Sequence, residues 1–101
     1  MHYVICYDIE NDRLRGKTAK LLARNGCERM QRSVYAAAFM APRRLGDLKT
    51  ALHRLFDRHP LSPGDSVVIV PLREENVSEI SIYGNNNVLT LLEEKPLKIM
   101  L

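Results

Sequence analysis

HYVICYDI, residues 2–9, decides the fold. It is rich in Val, Ile and Tyr. With side chains alternating, Tyr3, Ile5 and Tyr7 fall on one side and Val4 and Cys6 on the other. Both sides are apolar, so this strand needs cover on both faces. It runs into Asp8, and a helix start follows. Asn11 or Asp12 can cap a helix whose Leu14, Thr18, Leu21, Leu22 and Asn25 recur at i, i+4, i+7, i+8 and i+11. Gly26 supplies the left-handed residue that ends it. Arg13, Arg15, Lys17, Lys20 and Arg24 lie off the apolar stripe.

Outward from this unit, residues 27–31 and 34–40 read as two strands of a hairpin turning at Arg32 and Ser33, although that turn has no Gly or Asn. Pro42 suits the first turn of a second helix, along which Leu45, Leu48, Leu52, Leu55, Phe56 and His59 form the apolar stripe before Pro60 stops it. Residues 61–65 make a turn, and SVVIVPL, residues 66–72, is a nearly unbroken apolar strand. Ile80 and Ile82 alternate with Ser81 and Tyr83 in a short extra strand closed by Gly84. The order strand, helix, strand, strand, helix, strand predicts an α+β, ferredoxin-like βαββαβ fold over residues 1–84. Right-handed crossovers put both helices on one face of an antiparallel sheet. The other face is left bare, and a twofold homodimer is the expected cover. The tail, residues 85–101, is too apolar to stay in water and is expected to dock on a partner chain.

A chain of 101 residues has room for one domain. Hydrophobic residues at 46% and charged residues at 27% exclude a disordered chain. MHYVICYDIE has no basic region ahead of its short apolar run, and no stretch approaches the roughly 20 apolar residues of a membrane span. The expected location is the cytoplasm. Cys6 and Cys27 have no CxxC spacing and are expected to be reduced and structural.

Charge is unevenly placed. Residues 1–58 carry twelve basic and six acidic side chains, a balance of +6, while the rest of the chain balances at −3. Ten of the fifteen cations are Arg, whose guanidinium forks onto phosphate oxygens. A nucleic acid is therefore the first partner to consider, a solvated basic surface being the alternative.

Asp8 stands where an apolar strand ends and a helix is about to begin, a favoured place for ligand or metal chemistry as well as for a loop or capping residue. No second carboxylate is obviously placed beside it. A Mg²⁺ site takes one or two carboxylates, waters and substrate phosphates, so a dimer that brings Asp8 near its symmetry mate would complete one shared near the twofold axis. Arg13, Arg15 and Lys17 near the first turn oppose the helix dipole, which points to phosphate as what they hold. Arg29 and Arg32 continue the pattern on the hairpin, followed by Arg43 and Arg44. Ser33 is either a turn residue or a hydrogen-bond donor. His2, His53 and His59 have no metal spacing, and there is no Gly-rich phosphate loop, GxSxG or HExxH. Two Phe and four Tyr, dispersed, are too few for a base-stacking RNA-recognition sheet.

The run YVICYDIENDRLRGKTAKLLARNG, then CERMQRSVYAAAF, a leucine-rich second helix and DSVVIVPL resemble the CRISPR-associated protein 2 family over about residues 1–84. The resemblance implies a ferredoxin-like homodimer that partners an integrase subunit in spacer acquisition, bridging two integrase dimers and contacting duplex DNA through its backbone. It also implies metal-dependent endonuclease activity on RNA, with some members cutting double-stranded DNA, though the bridging role needs no cleavage. Asp8 matches the proposed catalytic residue and Mg²⁺ ligand, with Tyr7 adjoining it. Arg13, Arg15, Arg29, Ser33 and Tyr35 match the nucleic-acid surface. Tyr35 stands where the family often carries Phe, and the tail after Gly84 diverges. Two rival expectations are a stand-alone RNA-cutting toxin of the same fold and a ligand-binding regulatory domain without nucleic acid.

Overall fold

A computed structural model describes residues 1–84. The elements are β1 (His2–Asp8), α1 (Asp12–Arg24), β2 (Glu28–Gln31), β3 (Val34–Ala37), α2 (Pro42–Arg58) and β4 (Ser66–Leu72), followed by a 3₁₀ turn at Glu74–Glu79. The strands form one sheet in the order β2-β3-β1-β4, every neighbour antiparallel. This is the ferredoxin-like arrangement, in which β1 takes the place between β3 and β4.

The register explains the core. Ile5 stands opposite Tyr35 on one side and Ile69 on the other, and Tyr7 stands opposite Val67. These side chains share the face that meets Leu14 and Leu22 of α1 and Leu48 and Leu52 of α2 in one apolar cluster. Ile5, Leu22 and Leu48 are fully buried, each stabilising the fold by roughly 1.5–3 kcal/mol. Thr18 lies on the same buried stripe, and its hydroxyl donates to the Leu14 carbonyl at 2.9 Å, so no polar atom there is left without a partner. The opposite face carries Val4, Cys6, Val68 and Val70. Val68 is 49% and Val70 45% exposed, an apolar surface left bare by the described residues.

Both helix starts follow the sequence. The Asn11 side chain accepts from the Leu14 N–H at 2.9 Å and caps α1. Pro42 opens α2, where its missing N–H costs nothing. After α1 the chain reverses through Gly26 at φ 84°, and a Cβ there would meet the Arg44 guanidinium at 3.0 Å.

Three features differ from expectation. First, β3 ends at Ala37 and does not continue to residue 40. Phe39 takes a left-handed backbone, φ 53°, and its N–H donates to His2 Nδ1 at 3.0 Å, while the Met40 N–H donates to the Met1 carbonyl at 3.0 Å. The end of the hairpin thus bends around the N-terminus. Second, β2 begins at Glu28 and its pairing with β3 shifts register between Arg29 and Gln31. Third, residues 80–83 form no strand within the protomer, because the 3₁₀ turn interrupts the extended chain directly after β4. The expected docking of the tail, residues 85–101, lies outside the described residues. Among the described residues, no helix is long and apolar enough to cross a membrane.

Candidate nucleic-acid interface

The C-terminal end of β1, the first half of α1 and the β2–β3 hairpin enclose an open depression of about 670 Å³. Of the residues singled out from the sequence, Tyr7, Asp8, Arg15, Arg29, Ser33 and Tyr35 all line it. Arg13 does not. It is exposed on the other flank of α1, beside Lys17 and Arg58. Arg32 and Gly16 complete the depression, Gly16 because a residue without a side chain leaves its wall open.

Strand pairing sets the aromatic wall. Tyr7 and Tyr35 sit on adjacent strands with the same side-chain orientation, their rings 6.1 Å apart between centroids and inclined by 30°. Both are buried. Burial pushes the Tyr7 hydroxyl above its ordinary pKa, reinforced by the Tyr35 hydroxyl, while Arg29 and Arg15 pull the other way. Tyr7 is therefore a neutral phenol at physiological pH, able to donate to an anion. Arg29 stands opposite Tyr35 in the β2–β3 register and is exposed, as is Arg32.

Ser33 takes a left-handed backbone, φ 68°, which lets the hairpin turn without glycine, and its carbonyl accepts from the Tyr7 N–H at 3.1 Å. Its first role is thus the turn, and it joins the hairpin tip to β1 next to Asp8.

Arg15 is more engaged than its sequence position suggested. Its Nη1 donates to the carbonyls of Ile9 at 2.9 Å and Glu10 at 3.2 Å, and its Nη2 pairs with the Asp12 carboxylate. The guanidinium thereby ties the β1–α1 turn to the helix that follows. The other anchor of this turn was not anticipated. Asp65 Oδ1 accepts from the Glu10 N–H at 3.0 Å, and Oδ2 accepts from the Ser62 N–H at 2.9 Å. The only sequence signal for it is the Ser-Pro-Gly-Asp turn before β4, where Asp side chains bond nearby backbone.

Asp8 is exposed at the end of β1, opposite Ser66. Strand alternation puts it on the side of Val4 and Cys6, the bare side of the sheet. Among the described residues, no three His, Cys, Asp or Glu side chains are grouped to hold a metal ion, and Asp12 is already taken by Arg15. The depression of one protomer thus offers, among the described residues, a single free carboxylate, short of a Mg²⁺ site. Two copies facing through the bare side would offer two.

Comparison with known proteins agrees with this architecture. The family described as CRISPR associated protein Cas2 matches residues 1–80. A CRISPR-associated endoribonuclease Cas2 of Synechocystis is 34% identical over 83 residues, covering 82% of this chain and 84% of that protein. The crystal structure of a hypothetical protein from Thermus thermophilus superposes with a TM-score of 0.63 at 32% identity, covering 83% of this chain and 90% of that one. A chain of a partial Cas6-RT-Cas1–Cas2 complex superposes with a TM-score of 0.65 at 26% identity, covering 85% and 84% respectively. The strand-end aspartate, the arginine-bearing hairpin and the four-stranded antiparallel sheet are thus set on a chain that belongs to the CRISPR-associated Cas2 family.

Proposed function

We propose that the protein is the dimeric bridging subunit of CRISPR spacer acquisition, holding duplex nucleic acid by its phosphate backbone and joining an integrase subunit. The observation that carries this reading is the depression itself. Arg29 and Arg32 stand exposed around a wall of two phenols, with no second free carboxylate among the described residues to repel phosphate. The likeness to a chain solved in a Cas1–Cas2 assembly supports the integrase partner. The bare face of Val4, Cys6, Val68 and Val70 supports a second copy as its cover, and the tail, residues 85–101, would dock on that partner chain. Backbone contacts carry no sequence code, so binding is expected to ignore sequence and weaken steeply with salt. In a mobility-shift series, replacing Arg29 and Arg32 by Ala should lower both affinity and salt slope. An unchanged slope would move the phosphate surface elsewhere.

The names of the curated relatives, endoribonucleases, favour a second activity at the same place. In this reading the Asp8 carboxylates of two facing protomers would hold a shared Mg²⁺. When bound, the ion supplies Lewis-acid polarisation of a phosphoryl oxygen and an activated water. Arg29 and Arg32 hold the flanking phosphates, and Tyr7 donates from the depression wall. Duplex DNA and single-stranded RNA are both substrates to be tried. Asp8→Asn should abolish Mg²⁺-dependent cleavage while keeping duplex binding and integration by the reconstituted complex. Cleavage that survives in rigorously purified Asp8→Asn protein refutes the catalytic role, and integration lost despite normal assembly refutes the bridging role.

A further inference from the structure

Helix α1 carries a second row of cations on the flank away from the depression. Arg13, Lys17, Lys20 and Arg24 recur at i, i+4, i+7 and i+11, one line down the helix surface, and all are exposed. Across a groove of about 540 Å³ between α1 and α2, Lys17, Lys20 and Arg24 face Arg54 and Arg58. A smaller hollow of about 300 Å³ shares Lys17 and Arg58 with this groove and extends it to Arg13. No carboxylate among the described residues lines either one. Among the described residues, none of these six cations takes part in an ion pair.

Arg24 and Arg58 lie in the last turns of their helices, where they complement the dipoles. Lys17, Lys20 and Arg54 have no such local reason. Facing like charges without counter-charge strain the fold, so a polyanion that neutralises them gains more than a surface of paired ions would offer. From Arg13 to Arg24 the row spans about 16 Å, and one strand of a duplex places a phosphate every ~3.4 Å of helix axis, so several come within reach of the row. The floor is aliphatic, with Leu21 and Leu55, and among the described residues the lining holds one ring, His59, and no Phe, Tyr or Trp, too little for a platform on which successive unpaired bases could stack. An even line of cations without a stacking platform fits duplex backbone better than a single strand or the irregular carboxylates of an acidic protein.

We infer that the α1–α2 groove is a second phosphate track, separate from the Tyr7–Arg29 depression, that takes one backbone strand of a nucleic-acid duplex. This rests on the reading of the protein as a duplex binder. The test compares four proteins on one 30-base-pair DNA: wild type, the groove variant Lys20→Ala/Arg24→Ala/Arg54→Ala, the depression variant Arg29→Ala/Arg32→Ala, and their combination. The groove variant should bind at least tenfold more weakly at about 100 mM salt, with its log-log salt slope lower by roughly 2–3, since each lost phosphate contact removes about 0.9. The combination should lose both increments. In wild-type protein, the duplex should also protect Lys17 and Lys20, but not the exposed Lys49 outside the groove, from acetylation, a readout that needs no variant to fold. A groove variant with wild-type affinity and slope, or unprotected Lys17 and Lys20, while the depression variant is impaired, overturns the track and leaves the proposed function standing. A groove variant that keeps duplex binding and loses only the integrase subunit makes the groove a protein dock and equally overturns it. Wild-type protein that binds no duplex removes the proposed function itself.

Discussion

Asp65 and Glu10, 55 residues apart in sequence, are joined by a 3.0 Å hydrogen bond from the Glu10 N–H to Asp65 Oδ1. Through it, the turn before β4 holds the turn after β1, and Asp8 is fixed two residues from the junction. Asp65→Ala should cost about 1–2 kcal/mol in denaturant unfolding, the range for losing charge-assisted hydrogen bonds at a partly exposed site. The Glu10 amide should exchange faster with solvent, and any Asp8-dependent activity should fall with it. Asp65→Asn keeps one acceptor oxygen and should recover about half the loss.

Gly16 faces the depression from within α1, and a methyl group added there meets nothing within 4 Å. Gly16→Ala should therefore stabilise the protein by roughly 0.5–1 kcal/mol, the helix-interior cost of glycine relative to alanine. Gly16→Leu should project into the depression and weaken duplex binding without lowering the melting temperature. Paired thermal melts and binding titrations separate the two effects.

His2 is buried, with Nδ1 accepting the Phe39 N–H and the ring edge-on to Phe39 at 4.4 Å between centroids. Burial lowers its pKa from 6.5, the N-terminal ammonium adds to this, and Glu74 opposes both. The unfolded chain thus binds the proton more readily than the folded one. The stability that His2 contributes is complete above about 6.5 and is lost as pH falls through the range just below it. Melting temperatures followed from pH 7.5 to 5.5 should drop in wild type. His2→Asn keeps an acceptor without the titration, and its curve should be flatter over the same range.

The two thiols report on different surfaces. Cys27 is buried and its pKa is pushed up to about 11 by desolvation, against a smaller opposing effect of Arg44, so it should resist alkylation at neutral pH. Cys6 lies half-buried on the bare face of the sheet. If a second copy covers that face, Cys6 labelling with iodoacetamide should slow as protein concentration rises, and Cys27 should remain unlabelled throughout. A Cys6 rate independent of concentration, with sedimentation showing only the 11.6 kDa species, would exclude the dimer.

β4 was legible residue by residue because a Pro-Gly turn and Asp65 punctuate its start and a charged run its end. β3 was not, because AAAFM stays apolar through the bend, and the left-handed residue there is Phe39 where a glycine would have marked it. The depression was largely legible, since Tyr7, Ser33 and Tyr35 meet through strand pairing that the element order already implied. The separation of Arg13 from Arg15 follows from helix geometry: residues two apart point to different flanks, so a basic cluster in sequence became two surfaces. Asp65 was hidden because its partner lies at the far end of the chain, a contact no local pattern encodes.

The placement of Asp8 on the bare side of the sheet has a kinetic meaning. Chemistry that needs both carboxylates cannot be first order in the chain when protomers are apart. Below the dissociation constant of the dimer, its rate grows with the square of chain concentration, and only above it does it become proportional. A mixed dimer with one Asp8→Asn subunit should then behave as fully defective rather than half active, so mixing the two chains in equal amounts should leave about a quarter of the wild-type rate.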